Sequence, residues 1–122
     1  MSRGAEKGQG TLVDHRELEL DPRLVEAVRR LVELFRPERV YLFGSQARGE
    51  ANEDSDYDLL LVVSESDLSA YERDQEGYRA LRGVRLPIDL LVFTRAEFER
   101  YLPAAASLAS TVVREGRLLY VA

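Results

Sequence analysis

The chain has 122 residues, 45% of them hydrophobic and 32% charged, with a formal net charge of −5 and no cysteine. That is room for one domain with a modest core. Disulfides and thiolate chemistry are excluded, and the acidic balance argues against a direct nucleic-acid binder, which carries a basic face. No apolar run reaches the roughly 18 residues of a membrane span and the N-terminus has no apolar signal core, so a cytoplasmic protein without membrane attachment is expected.

Residues 1–20 are polar, glycine-rich at first and without periodicity, and are expected to form a mobile tail before a domain at 21–122. The only histidine, His15, lies there and reads as a solvated tail residue. Asp21-Pro22 is a helix start, with aspartate as N-cap and proline at the first helical position. Leu24, Val28, Leu31, Val32 and Phe35 recur at helical spacing, and Pro37 ends the run. A strand is expected at about 39–43.

The stretch VYLFGSQARGEANEDSDYDLLLVV, residues 40–63, carries the chemistry. Two apolar runs read as buried strands. On a strand side chains alternate, so Asp56 and Asp58 share a face, about 7 Å apart at the Cα, and Tyr57 between them turns to the core. Like charges that close raise a pKa unless a cation intervenes. Between Ser45 and Val63 the only basic residue is Arg48, against Glu50, Glu53, Asp54, Asp56 and Asp58. A hard divalent ion such as Mg²⁺ suits an all-oxygen donor set. The Gly44-Ser45 pair ends the first strand ahead of a helix-compatible Gln46-Ala47-Arg48. Glycine permits close backbone approach, and Ser45 is expected both to cap the helix and to contact phosphate. Arg48 is left between two roles, a triphosphate contact or an ion pair with Glu50. Asp89, an acid inside the apolar run 86–93, is the candidate third carboxylate.

Gly44-Ser45, ten residues, Asp56-x-Asp58 and the later strand-borne Asp89 together resemble the minimal nucleotidyltransferase family of the DNA polymerase beta-like superfamily. The likeness runs from about Asp21 to the C-terminus. It implies a single small α/β (α+β) domain, a mixed four-stranded sheet flanked by helices. It also implies transfer of AMP, or another nucleoside monophosphate, from ATP or a related triphosphate, with two Mg²⁺ ions. Asp56, Asp58 and Asp89 match the family's metal-binding and catalytic acids, and Gly44 and Ser45 its nucleotide-binding turn. Larger relatives carry an added acceptor-binding domain, for which 122 residues leave no room. Proteins of this family are commonly antitoxins that add AMP to a tyrosine of an all-helical HEPN ribonuclease, so a HEPN-type toxin is the implied partner. Two alternatives stand beside it, a contact-only antitoxin with an idle nucleotide site and a nucleotidyltransferase for a small, aminoglycoside-like molecule.

Beyond Val63, residues 64–82 are charged, and Leu68, Tyr71, Tyr78 and Leu81 fall on one helical face expected to meet the core. Gly83 stops that helix and Pro87 opens a third strand. Thr94 and Glu97 form a capping box. Pro103 interrupts, and a last helix is expected over 104–115 before Gly116, its alanine-rich face packing on its own sheet or, in an oligomer, on another chain.

Overall fold

The computed structural model describes residues 11–12, 20–52 and 55–122. His15, Glu53, Asp54 and most of the expected tail lie outside them. The elements run β1 (Thr11–Leu12), α1 (Pro22–Phe35), β2 (Arg39–Phe43), α2 (Ser45–Arg48), β3 (Tyr57–Val63), α3 (Ala70–Ala80), β4 (Ile88–Thr94), α4 (Arg95–Tyr101), α5 (Leu108–Glu115) and β5 (Arg117–Val121). The expected four-stranded mixed sheet is present as β2 to β5. Thr11 and Leu12 pair with Val121 and Tyr120 and add a short fifth strand, so this part of the expected tail belongs to the sheet. Strand order is β1-β5-β2-β3-β4, antiparallel except for β3 with β4. Among the described residues no helix is long and apolar enough to cross a membrane.

Strand alternation builds the core on both faces of the sheet. Val40, Leu42, Leu59, Leu61, Leu90 and Val92 meet Leu24, Ala27, Val28 and Leu31 of α1 on one face. Tyr41, Leu60 and Val62 meet Phe98 of α4 and Ala109 and Val112 of α5 on the other. Helix α1 begins as its sequence dictates, the Asp21 carboxylate accepting from the Arg23 N–H with proline in the first turn. The Thr94–Glu97 capping box likewise starts α4.

Helix α3 departs from expectation. It starts only after Ser69, which forms a capping box with Glu72, so Leu68 lies outside it. Tyr71 is 72% exposed and Leu68 41%, while Arg73 is 2% exposed and Gly77 is buried. The reason is the position of β4 at the sheet edge. An edge strand has a row of backbone groups without a ladder partner, and polar side chains can supply one. Asp74 accepts from the Val92 N–H (3.1 Å), Tyr78 accepts from the Leu90 N–H (2.8 Å), and Arg73 Nε donates to the Val92 carbonyl (3.0 Å). What α3 presents to the edge of β4 is therefore hydrogen-bonding capacity, and of the expected apolar stripe only Leu81 is buried in the core. Gly77 permits the approach, because a Cβ there would collide with Leu90 Cδ2.

Arg73 also donates to the Leu68 carbonyl (2.9 Å) and to Glu97 Oε1 (2.6 Å), tying α3 to the start of α4. Burial pushes the Glu97 carboxyl up, but the Thr94 N–H and the Arg73 guanidinium together hold it below its ordinary value. The last helix starts at Leu108 rather than at 104, capped by Ser107, whose side chain accepts from the Ser110 N–H. A cap able to satisfy an orphan N–H outweighs the helix propensity of the preceding alanines.

Arg73→Ala leaves the Val92 carbonyl and Glu97 without their buried donor and is expected to cost about 3 kcal/mol. Gly77→Ala forces α3 off the edge and is expected to cost roughly 1–3 kcal/mol. Urea unfolding of both variants against the wild type measures this.

Candidate active site

The acids meet because of strand register. In the parallel β3–β4 pair Asp58 stands opposite Asp89, and in the antiparallel β2–β3 pair it stands opposite Phe43. Adjacent strands put the two aspartate Cα atoms about 4.8 Å apart. Asp58 alternates with Leu60 and Val62, Asp89 with Leu91 and Phe93, so both carboxylates fall on the α4–α5 face. Tyr57 turns the other way and packs against the α1-side core, as the alternation predicts. Asp56 precedes β3 and is exposed.

Gly44 stands directly against this pair. Its φ of 76° lies in the region that favours glycine, and a Cβ on it would collide with Asp58 Oδ2. Gly44, rather than Ser45, caps α2, and Ser45 is the first residue of that helix. Helix α2 is a single turn, so what it offers a phosphate is the Ser45 hydroxyl and nearby N–H groups more than a helix dipole. Gln46 donates to the Ser55 carbonyl (3.2 Å) and Arg117 to the Ala47 carbonyl (3.3 Å), which holds the turn between β5 and the start of β3. Arg48 is ion-paired with Glu50 at 2.9 Å and also acts on Asp58 through space. Of the two roles considered for it, the ion pair is the one present.

Among the described residues neither Asp56 nor Asp58 has a hydrogen-bond or ion-pair partner. Burial, then the charges of Asp89 and of Asp56, push the Asp58 carboxyl above its ordinary 3.8, opposed only by Arg48. That is the electrostatic state of a group lacking its counter-ion. Among the described residues no three acidic, histidine or cysteine side chains stand close enough together to hold a metal ion as they are. The donor chemistry nonetheless suits a hard divalent cation, since every candidate atom is a carboxylate oxygen.

Tyr78 was expected in the core and is found at the site. Besides accepting from the Leu90 N–H, its hydroxyl lies 3.5 Å from Asp89 Oδ1. Burial raises the phenol's pKa and Asp89 and Asp74 add to that, while the Leu90 N–H opposes it, so the hydroxyl keeps its proton. No sequence signal marks this contact, which needs α3 to lie on the edge of β4.

The domain thus sets a glycine-serine turn against paired strand-borne acids. The chain is a member of the nucleotidyltransferase domain family, whose model matches residues 22–119. Nucleotidyl transfer from a nucleoside triphosphate with a divalent metal is the general chemistry of that family, and the motif-based resemblance agrees with it. In structure the chain is similar to a "putative nucleotidyltransferase from Sulfolobus solfataricus", with a TM-score of 0.56 and 28% identity over 84% of this chain and 78% of that one. It also has a fainter similarity, at a TM-score of 0.48 and 22% identity over 80% and 73% of the two chains, to a toxin-antitoxin structure with AMP-PNP. No curated protein matches the chain in sequence.

Two substitutions at one contact are expected to move stability in opposite directions. Asp58, with its raised pKa, is destabilising when charged, so its favourable contribution is present at low pH and lost as pH rises through the elevated value. Asp58→Asn is therefore expected to raise the melting temperature of the metal-free protein at neutral pH, with the gain disappearing below about pH 4. Gly44→Ala is expected to lower stability at every pH by about 1–3 kcal/mol, through backbone strain and the clash with Asp58. Thermal unfolding across pH measures both.

Proposed function

We propose that the protein transfers AMP from ATP to a partner protein and acts as the antitoxin of a HEPN-type helical toxin. The observation that carries the transfer chemistry is the seat of Asp58, with Asp89 as its register partner on one side and the bare Gly44 backbone on the other. The partner and the antitoxin role rest on the resemblance of the joint motif to the minimal nucleotidyltransferases.

In this reading Asp56, Asp58 and Asp89 would hold magnesium. The ion supplies neutralisation of triphosphate charge and a lowered pKa for the attacking hydroxyl. The chain's own groups position the substrates. The Gly44-Ser45 turn binds phosphate oxygens through N–H groups and the Ser45 hydroxyl, and the bare Gly44 backbone leaves room for the Asp58 carboxylate beside it. Arg48 moves from Glu50 to the triphosphate at small cost, since solvent screens an exposed ion pair. The exposed Asp89 accepts the proton of the incoming hydroxyl. The reaction forms a bond from the acceptor oxygen to the α-phosphorus and breaks the bond to pyrophosphate.

A contact-only antitoxin, with the nucleotide site idle, is the second reading. Calorimetric titration with nonhydrolysable ATP and Mg²⁺ is expected to show metal-dependent binding that the Asp56→Asn, Asp58→Asn double variant loses. Incubation with ATP, Mg²⁺ and a helical ribonuclease partner, read by intact mass, is expected to add AMP to the partner. An unmodified partner, neutralised equally well by the double variant, sinks the transfer reading in favour of contact alone.

A further inference from the structure

We infer that Tyr78 is the positioning residue of Asp89, holding one carboxylate oxygen so that the other is presented to the metal and the acceptor. This deepens the nucleotidyltransferase reading above and rests on it. Asp89 lies exposed near the start of an edge strand, opposite a second carboxylate that repels it. Among the described residues Tyr78 is the only hydrogen-bonding neighbour of its carboxylate. A free aspartate in that position has rotamer freedom and a reason to swing away from Asp58.

Tyr78 is built to prevent this. Its ring is carried by α3, which Gly77 lets settle against Leu90. Its oxygen accepts from the Leu90 N–H at 2.8 Å, which fixes the oxygen in place and leaves its own proton for an acceptor. The acceptor within reach is Asp89 Oδ1, at 3.5 Å. That distance is long for an O–H···O bond, and such bonds in unliganded catalytic sites commonly tighten when the substrate complex forms. Asp74 makes the matching edge contact to the Val92 N–H, two residues along and without touching any of the three acids. The pair therefore separates two roles of the same helix face, capping an edge strand and orienting an acid.

The test uses the full chain as wild type, Tyr78→Phe, Asp74→Ala and Asp58→Asn, with Mn²⁺ titrated in the presence of the nonhydrolysable ATP analogue. Tyr78→Phe keeps the ring and removes the hydroxyl, and is expected to bind Mn²⁺ about tenfold more weakly, the scale of losing a group that orients a metal ligand. Asp74→Ala is expected to bind like the wild type, although both variants free one edge N–H and lower the urea midpoint. Binding that is lost in Asp58→Asn but unchanged in Tyr78→Phe overturns the role of Tyr78 alone. Equal weakening in Asp74→Ala overturns it too, by assigning the loss to a loosened edge. A wild type that binds no Mn²⁺ with nucleotide overturns the nucleotidyltransferase reading and this inference together.

Discussion

The parallel pairing of β3 with β4 is the constraint on which the rest depends. It sets Asp58 opposite Asp89, and because strand side chains alternate, a slip of one residue would send Asp89 to the α1 face and dissolve the site. Register is held by the apolar sets on both faces, which tolerate no slip either. It is held again from outside, where Arg73, Asp74 and Tyr78 grip backbone groups of the exposed edge. A sheet edge of this kind invites pairing with another chain, and here one helix both closes the edge and locks the register.

The same packing explains why the site is electrostatically uncomfortable. β3 is buried along Leu59 to Val63, and the acid at its mouth inherits part of that desolvation. Two more carboxylates crowd it, and Arg48, the cation acting on it, is exposed and already shared with Glu50. A fold selected for stability alone would put an apolar or neutral residue there. The general chemistry of the nucleotidyltransferase family uses a divalent metal, and such a crowd of carboxylates is in keeping with it.

Arg73 shows how differently a charge is treated where structure is the only demand. It is more deeply buried than any of the three acids, yet its guanidinium reaches the Val92 and Leu68 carbonyls and Glu97. A buried charge with every partner thus stands in contrast to a part-buried Asp58 and exposed Asp56 and Asp89 with almost none.

Much of this was legible in the chain itself. The Asp21-Pro22 start, β2 at 39–43, the alternation that separates Asp58 from Tyr57, and the Thr94–Glu97 box are all local, set by capping, by φ preferences and by the two-residue period of a strand. The need for glycine at 44 was legible as a type of residue, but its reason, the carboxylate of Asp58 across the strand pair, is a contact between distant positions. Tertiary structure alone decided that β4 would be an edge. That one fact turned the inner face of α3 from apolar to polar, exposed Tyr71, buried Arg73 and brought Tyr78 to Asp89. Periodicity reports which residues share a face, whereas what a face must supply depends on whether it meets side chains or unpaired backbone, and only the assembled sheet determines that.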